Sequence, residues 1–500
     1  MVFMVISRFM SLFSNLICMT HYGVNLNMDI YSYTNQFPNI IFNCLGTTLT
    51  TIVIPIFAGY IGTDKKEHAH KFADNIITIT FLLTIVLSAV GIFLSPVILH
   101  FTRFKSQGFN FALFSLRIMI PIIIFYGLNY IFQGILQSLG KFTLPALVSL
   151  PSSLTVIIYV FLFGDRFGVK GLVIATFIGL SLQAIILIPS LLRTDYRYKP
   201  SLQFKNPDMM TALKLIPPVI IGTSAYQINM LFNTTFAANF KDAVAIITLS
   251  QNLILSFILA FVYSITAVMF PKFTMLVASN DMKELNAKIE TTINFILFFL
   301  IPIMFGIIAL RVQVIDLLYG WGKFTRENVV FASKIFALYS LGIIGIGIKE
   351  VIDRVFYSLK DTKTPAIIGV LIVIANILTC LAFVKLFGVI GIPLSYSISC
   401  IVGALISLTL AGKKLSNTFF NNRNLIFVAK LFFSGIVMYV GVGGVAFLLG
   451  KLKFNHVIIA KILSLFAPIV VGILIYFILT YILNVSITDE IINKIKKKFA

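Results

Sequence analysis

Hydrophobic residues run through this chain in long blocks that are apolar on every side, separated by short polar punctuation. The blocks lack the alternation of a barrel strand and the single apolar stripe of a soluble surface helix, so they predict bilayer-crossing helices. Fourteen can be drawn, at roughly 2–21, 30–60, 75–101, 111–139, 145–164, 168–193, 209–239, 243–277, 286–318, 330–359, 365–386, 388–411, 426–449 and 457–484. One piece of punctuation organises the rest. Arg354 to Pro365 reads R-V-F-Y-S-L-K-D-T-K-T-P. Asp361 and Thr362 suit a helix start and Pro365 a first helical turn, so one helix is expected to end near Leu359 and the next to begin near Thr364. The same hinge occurs at Gln133 to Pro145, and Pro145 to Pro365 is an offset of 220 residues. Ser138 and Ser358, Leu139 and Leu359, Gly168 and Gly388, and Gly171 and Gly391 keep that offset, which marks a duplicated unit.

Composition turns the pattern into a class. Of 500 residues 59% are hydrophobic and 11% charged, the balance of a multi-spanning membrane protein. A formal charge of +21 would suggest nucleic acid in a soluble chain. Here the cations sit in loops, so the positive-inside rule accounts for them and no nucleic-acid partner is expected. Even-numbered loops and the tail hold about twice the Lys and Arg of odd-numbered loops, which places both termini in the cytoplasm. The first block, interrupted by Arg8 and without a small-residue cleavage site, is read as a span rather than a signal peptide. Cys18, Cys44, Cys380 and Cys400 lie in apolar blocks without a C-x-x-C and read as packed thiols. The five histidines lie in loops or at span ends, no phosphate-binding G-x-x-x-x-G-K-[ST] occurs, and no catalytic residue, metal or cofactor is expected.

The longest polar linker, Arg193 to Asp208, divides the chain into six-span lobes at 1–200 and 201–411, related by a pseudo-two-fold repeat. Residues 412–500 add two helices without a counterpart and a basic tail. The expected fold is therefore an all-α polytopic membrane protein of 14 transmembrane helices. Parallel six-helix repeats suit alternating access around a central site, although a duplicated channel or membrane enzyme would share the pattern.

Charges inside the spans supply the candidate chemistry, since each costs roughly 2.5–3.5 kcal/mol at the bilayer centre on insertion scales. Arg8 and Arg117 have no acid in their own spans; facing a cavity they would attract an anion such as phosphate, and otherwise they reach for headgroups. The span at 330–359 carries Lys349, Glu350, Asp353 and Arg354, spaced as two i,i+4 ion pairs. They form either a self-neutralised structural set or a gate or ion relay. Asn129, Gln133 and Gln137 stand 220 residues before Lys349, Asp353 and Tyr357, so the two copies present matching polar faces. Gln227, with Tyr226, Asn229 and Asn233, and Asn252, with Ser250 and Gln251, could bind sugar or peptide groups or bond between helices.

The hinge resembles the F-Y-A-L-x-D-T-R-T-P signature of the MurJ/MviN family, within the multidrug/oligosaccharidyl-lipid/polysaccharide exporter superfamily. Ser7-Arg8, Asp29 opening the second span, Phe37-Pro38-Asn39, and Pro55 with Pro271 fit the same family. The resemblance covers essentially the whole chain. It implies a flippase that moves lipid II, the undecaprenyl-pyrophosphate-linked peptidoglycan precursor, across the bacterial cell membrane. It also implies a cationic cavity gripping the pyrophosphate and a groove for the lipid tail at the last two helices. Arg8 falls on one family cavity arginine. The other three fall on Ser14, Phe42 and Asn252, neighbouring acids on Asn15 and Leu255, and sodium-site acids on Asn233 and Cys380, with Asn376 retained. The phosphate clamp is thinned and the sodium site lost.

The substrate-binding set expected is Arg8, Asp29, Arg117, Asn39, Gln227 and Asn252, with Asp29 positioning Arg8. The headgroup would enter between the first, second, seventh and eighth spans. Lys349, Glu350, Asp353 and Arg354 are the gating or ion-relay set. The partners expected are the lipid-linked glycan pyrophosphate, membrane lipids and cell-wall synthesis proteins. A flippase for another lipid-linked oligosaccharide, a drug or cation exporter of the superfamily, and a non-transporting membrane assembly partner stay open as alternatives.

Overall fold

A computed structural model describes residues 2–62, 66–203, 227–419, 421–452 and 456–489, and among these there is helix and no strand. In the first half the helices are α1 (Val2–Tyr22), α2 (Leu26–Gly62), α3 (Lys66–His100), α4 (Phe109–Met119), α5 (Ile122–Ser138), α6 (Thr143–Leu147), α7 (Leu150–Ile185) and α8 (Ile188–Leu192). The seventh expected span is described only at 227–237, here α9. Then come α10 (Ala243–Ala278), α11 (Met282–Tyr319), α12 (Arg326–Ser340), α13 (Ile343–Ser358), α14 (Lys363–Phe387), α15 (Gly391–Leu415), α16 (Asn422–Lys451) and α17 (Val457–Ile482). Nine helical stretches among the described residues have the length and apolarity to cross a membrane. Two of these, Thr143–Leu192 and Lys363–Leu415, are long enough to hold two spans each. The chain is a multi-pass membrane protein.

The two hinges are the same structure. After α5, Lys141 N–H reaches back to Leu136 O at 2.8 Å and Gly140 N–H to Gln137 O at 3.0 Å. After α13, Asp361 N–H bonds Phe356 O at 2.9 Å and Lys360 N–H bonds Tyr357 O at 3.0 Å. Both are Schellman ends, which need a left-handed residue just past the helix. Gly140 supplies it at φ 75 and Lys360 at φ 59. Asp361 then opens α14: its carboxylate accepts from Lys363 and Thr364 N–H at 3.1 and 3.0 Å and from Lys414 at 2.5 Å.

The repeat continues past the hinge. Gly168 (φ 58, ψ −152) and Gly388 (φ 62, ψ −141) interrupt helices at equivalent places, in a region of backbone space open to glycine alone. Each leads into a helix that folds back along its predecessor; Gln183, after Gly168, bonds Ser152 Oγ at 2.7 Å. Two spans expected to be continuous are broken. The fourth divides at Ile120–Pro121 and the tenth at Leu341–Gly342. Pro121 has no N–H to donate. At the second break Ser397 Oγ donates to Leu338 O at 2.6 Å, taking a carbonyl that would otherwise serve the next turn.

The chain forms two compact units, 1–245 with 322–324, and 246–321 with 325–500. In the first, α2 and α3 pack on α5, and α1 packs on α7. Its core gathers Phe57, Phe72, Ile131, Ile135 and Leu187 around Tyr196. The segment after α8 is strapped along α3: Tyr196 OH and Lys199 N–H both donate to Asp74 at 2.7 and 2.9 Å. Gln203 exchanges two hydrogen bonds with Asn75, each 2.7 Å. Burial, with Asp74 as acceptor, pushes the Tyr196 hydroxyl well above its ordinary range and keeps it a donor.

In the second unit α11 packs against α12, α13, α16 and α17. Such helices meet by close packing rather than by exclusion of water. A Cβ on Gly345 of α13 would stand 2.5 Å from the Cys400 backbone of α15, so only glycine allows that approach. Lys461 of α17 donates to Asp316 O in the last turn of α11 at 3.1 Å and to Gly320 O just past its end at 2.7 Å, and lies 3.9 Å from the Trp321 ring.

Candidate functional site

The expected site residues divide between the units. Asp29, Asn39, Arg117 and Gln227 lie in the first, and Asn252, Lys349, Glu350, Asp353 and Arg354 in the second. Arg8 stands on α1, but its side chain lies outside the described residues, as does Tyr226. The hydroxyl of its neighbour Ser7 bonds that of Ser149, where α7 begins.

Asp29 is the most constrained of the set. Gly23 ends α1, and Asn25 starts α2 by accepting from Met28 N–H at 3.1 Å while donating to Tyr22 O at 2.9 Å. This places Asp29 in the first turn, where the helix dipole favours an anion. Its carboxylate is fully buried. One oxygen accepts from Arg103 Nη2 at 2.8 Å and the other from Ala245 N–H at 3.0 Å, in the first turn of α10. Arg103 sits in the short 3-10 turn Arg103–Lys105, its guanidinium 5.9 Å from the Phe104 ring. Burying either charge without the other would cost several kcal/mol. Both carboxylate oxygens are thus engaged, while the Arg8 side chain expected beside them lies outside the described residues. Reasoning from composition missed Arg103, which falls in a loop 74 residues from its partner.

Further along α2, Gln36 contacts Met230 Sδ of α9 at 3.4 Å, and Asn39 bonds Tyr126 of α5. Gln227 is half-buried one turn before Met230, and Arg117 is exposed near the end of α4. On α9, Asn233 donates to Asn229 at 3.4 Å.

In the second unit the i,i+4 pairs form: Lys349 with Asp353, and Arg354 with Glu350 through Nε at 3.0 Å and Nη2 at 2.6 Å. The Arg354 guanidinium lies 6.0 Å from the Phe270 ring. The first unit repeats the arrangement without charge, Gln133 donating to Asn129 at 3.0 Å at the positions equivalent to Asp353 and Lys349. Asn129 continues to Gln183 at 3.4 Å. Asn252 is half-buried on α10, and Ser250 beside it reaches Ala332 O at 3.5 Å. Asn376 and Cys380 are buried on α14. His68 stacks on Tyr60 and His70 meets the edge of Tyr196, so both rings serve packing.

Comparison with known proteins bears on what such a molecule does. The family model described as lipid II flippase MurJ matches residues 19–466. A probable lipid II flippase MurJ of Buchnera aphidicola subsp. Schizaphis graminum is 24% identical over 501 residues, 98% of this chain and 97% of that protein. The lipid II flippase MurJ of Thermosipho africanus is 27% identical over 402 residues, 80% of this chain and 82% of that one. A solved lipid II flippase MurJ in an inward closed conformation matches with a TM-score of 0.80 at 25% identity, over 96% of this chain and 98% of that one. An inward-facing MATE family multidrug transporter of the MOP superfamily shares the fold alone, with a TM-score of 0.66 at 17% identity over 82% and 98% of the chains. The duplicated hinge, the all-helical fold and the span of the family match lead to one assignment: the chain belongs to the lipid II flippase MurJ family.

Proposed function

We propose that this chain is a transporter that flips lipid II from the cytoplasmic to the outer leaflet of a bacterial plasma membrane, with both termini in the cytoplasm. The observation that carries the reading is the family match through residues 19–466, in step with a fold at TM-score 0.80 to a lipid II flippase. Arg8 and Arg117 supply positive charge for the pyrophosphate, and Asn39, Gln227 and Asn252 offer amides to the glycan and peptide. The tetrad from Lys349 to Arg354 is formally neutral, as suits a polar surface that must be wetted and dried without importing net charge. The polyprenyl tail stays in the bilayer beside α16 and α17, and cell-wall synthesis proteins receive the flipped product.

Complementation tests the reading. Expression of the chain should restore growth to a bacterium depleted of its lipid II flippase, and Arg8→Ala should abolish rescue and leaflet exchange while inserting normally. Failure of the unaltered, correctly inserted chain to restore lipid II exposure on the outer leaflet would overturn it.

A further inference from the structure

The last helix of the duplicated portion ends in a cleft that has no part in the site described so far. α15 presents Ile401, Leu405, Thr409 and Lys413 at four-residue intervals, and all four are exposed. Residues so spaced form one ridge along a helix, here about 18 Å long at ~1.5 Å per residue. The ridge changes character along its length, from two branched hydrocarbons through a hydroxyl to an ammonium, within roughly the depth of one leaflet. Its charged end lies in the basic loop after the twelfth expected span, on the side read as cytoplasmic.

At that end the chain folds back on itself. Ser416 takes φ 49, and its N–H and that of Asn417 both donate to Gly412 O. The backbone approach is so close that a Cβ on Gly412 would stand 2.6 Å from Asn417 O. Asn421 and Asn424 hold the turn from the α16 side, donating to Thr418 O and Phe419 O at 3.3 and 3.1 Å. The result is a cleft of about 350 Å³, with Leu408 and Phe419 on its apolar side and Thr409, Lys413, Ser416 and Asn417 on its polar side. Lys413 is its one cation, and no acid lines it. The neighbouring Lys414 is already paired with Asp361. The Asn417 amide nitrogen has no acceptor among the described residues.

We propose that this cleft is a headgroup site for an anionic phospholipid of the cytoplasmic leaflet, with the phosphate on Lys413 and one acyl chain along Leu405 and Ile401. Charge selects the occupant. An ammonium without a carboxylate in the cleft, beside hydroxyl and amide groups, suits a phosphodiester. A zwitterionic lipid would bring a second cation, and the lining has no acid to receive it. The hydrocarbon end of the ridge ties the phosphate to a lipid rather than to a free ion. None of the residues assigned to lipid II takes part. Placing the lipid in the cytoplasmic leaflet rests on the orientation proposed above, and not on which lipid is transported.

The test is fluorescence quenching in the full-length chain. Trp321 is its single tryptophan, so Trp321→Phe with Leu405→Trp leaves one reporter on the ridge. Trp321→Phe with Leu378→Trp, at an exposed position of α14, is the reference for unselective lipid contact. Each is reconstituted into phosphatidylcholine vesicles, into which phosphatidylglycerol or phosphatidylcholine with brominated chains is titrated. At 405 the brominated phosphatidylglycerol should compete about fivefold better than brominated phosphatidylcholine, the weight of one cation beside an anionic lipid. At 378 the two should quench alike. Lys413→Gln should remove the preference at 405 and Lys413→Arg should keep it. Lys272→Gln, the same loss of charge at an exposed position of α10, should leave it intact. Equal quenching by both lipids at 405, or a preference of the same size at 378, overturns the site. So does an equal loss in Lys272→Gln and Lys413→Gln, which would show general surface charge at work. Loss of the preference in millimolar inorganic phosphate, but not in chloride of the same ionic strength, overturns the lipid as occupant. Lipid II enters none of these measurements, so failure here leaves the flippase reading standing, and failure of complementation leaves the lipid site standing.

Discussion

Lys360 does with a long side chain what Gly140 does with none. Both sit past the end of a helix with positive φ, 59 and 75, and both close the same hydrogen-bonded turn. The left-handed conformation costs an ordinary residue about 1–2 kcal/mol. Gly140→Lys should therefore lower stability by about 1 kcal/mol, and Lys360→Gly should be neutral or stabilising, both read as thermal midpoints in detergent. Next to Lys360, partial burial of Asp361 favours its neutral form, but Lys414 and the Thr364 amide and hydroxyl outweigh it and hold the carboxyl down at about 2. The folded value lies below the unfolded one, so the stabilisation is present above about pH 4 and is lost as pH falls toward 2. Melting midpoints of Asp361→Asn and the parent should thus differ at pH 7 and converge near pH 2.

At the scale of elements, packing distance decides where small residues matter. Gly345→Ala forces α13 off the Cys400 backbone and should cost about 1–3 kcal/mol. Gly443→Ala in α16, where a Cβ meets open space, should be neutral or slightly stabilising. Equal gains at both positions would show that helix propensity rather than contact governs.

The elements also show how far residue patterns reach. The hinge was legible because a turn carries its own local signature, and Gly168 and Gly388 because their backbone demands glycine. The pairing of Lys349 with Asp353 was legible because both partners share one helix. The break at Leu341–Gly342 was not, since the hydroxyl that opens it comes from Ser397, 59 residues away. Asp29 was expected to position Arg8, whose side chain lies outside the described residues. The contacts of its carboxylate with Arg103 and with an amide 216 residues on were not legible, since only the folded chain brings them near.

For the whole molecule, the connector between the repeats is not a free tether over its first ten residues. Tyr196, Lys199 and Gln203 are tied to Asp74 and Asn75, so this part of the connector belongs with α3. Asp74→Ala should speed amide exchange at Lys199 and Gln203 and open Arg197 to trypsin, measured by mass spectrometry. Unaltered exchange there would show that Tyr196 packing and the Asn75 bonds hold the strap without Asp74.

The second repeat differs from the first in carrying α16 and α17. The apolar stretch of α3 is 28% buried and that of α11 is 44% buried, because the extra helices lie along α11. Lys461 donates to the carbonyls of Gly320 and Asp316, and it pairs with the Asp316 carboxylate at 3.3 Å. Trimming the chain back to its duplicated portion would therefore not recover a simpler ancestor. The shortened protein would leave the Gly320 carbonyl without its Lys461 donor and the Asp316 carboxylate to Arg326 alone.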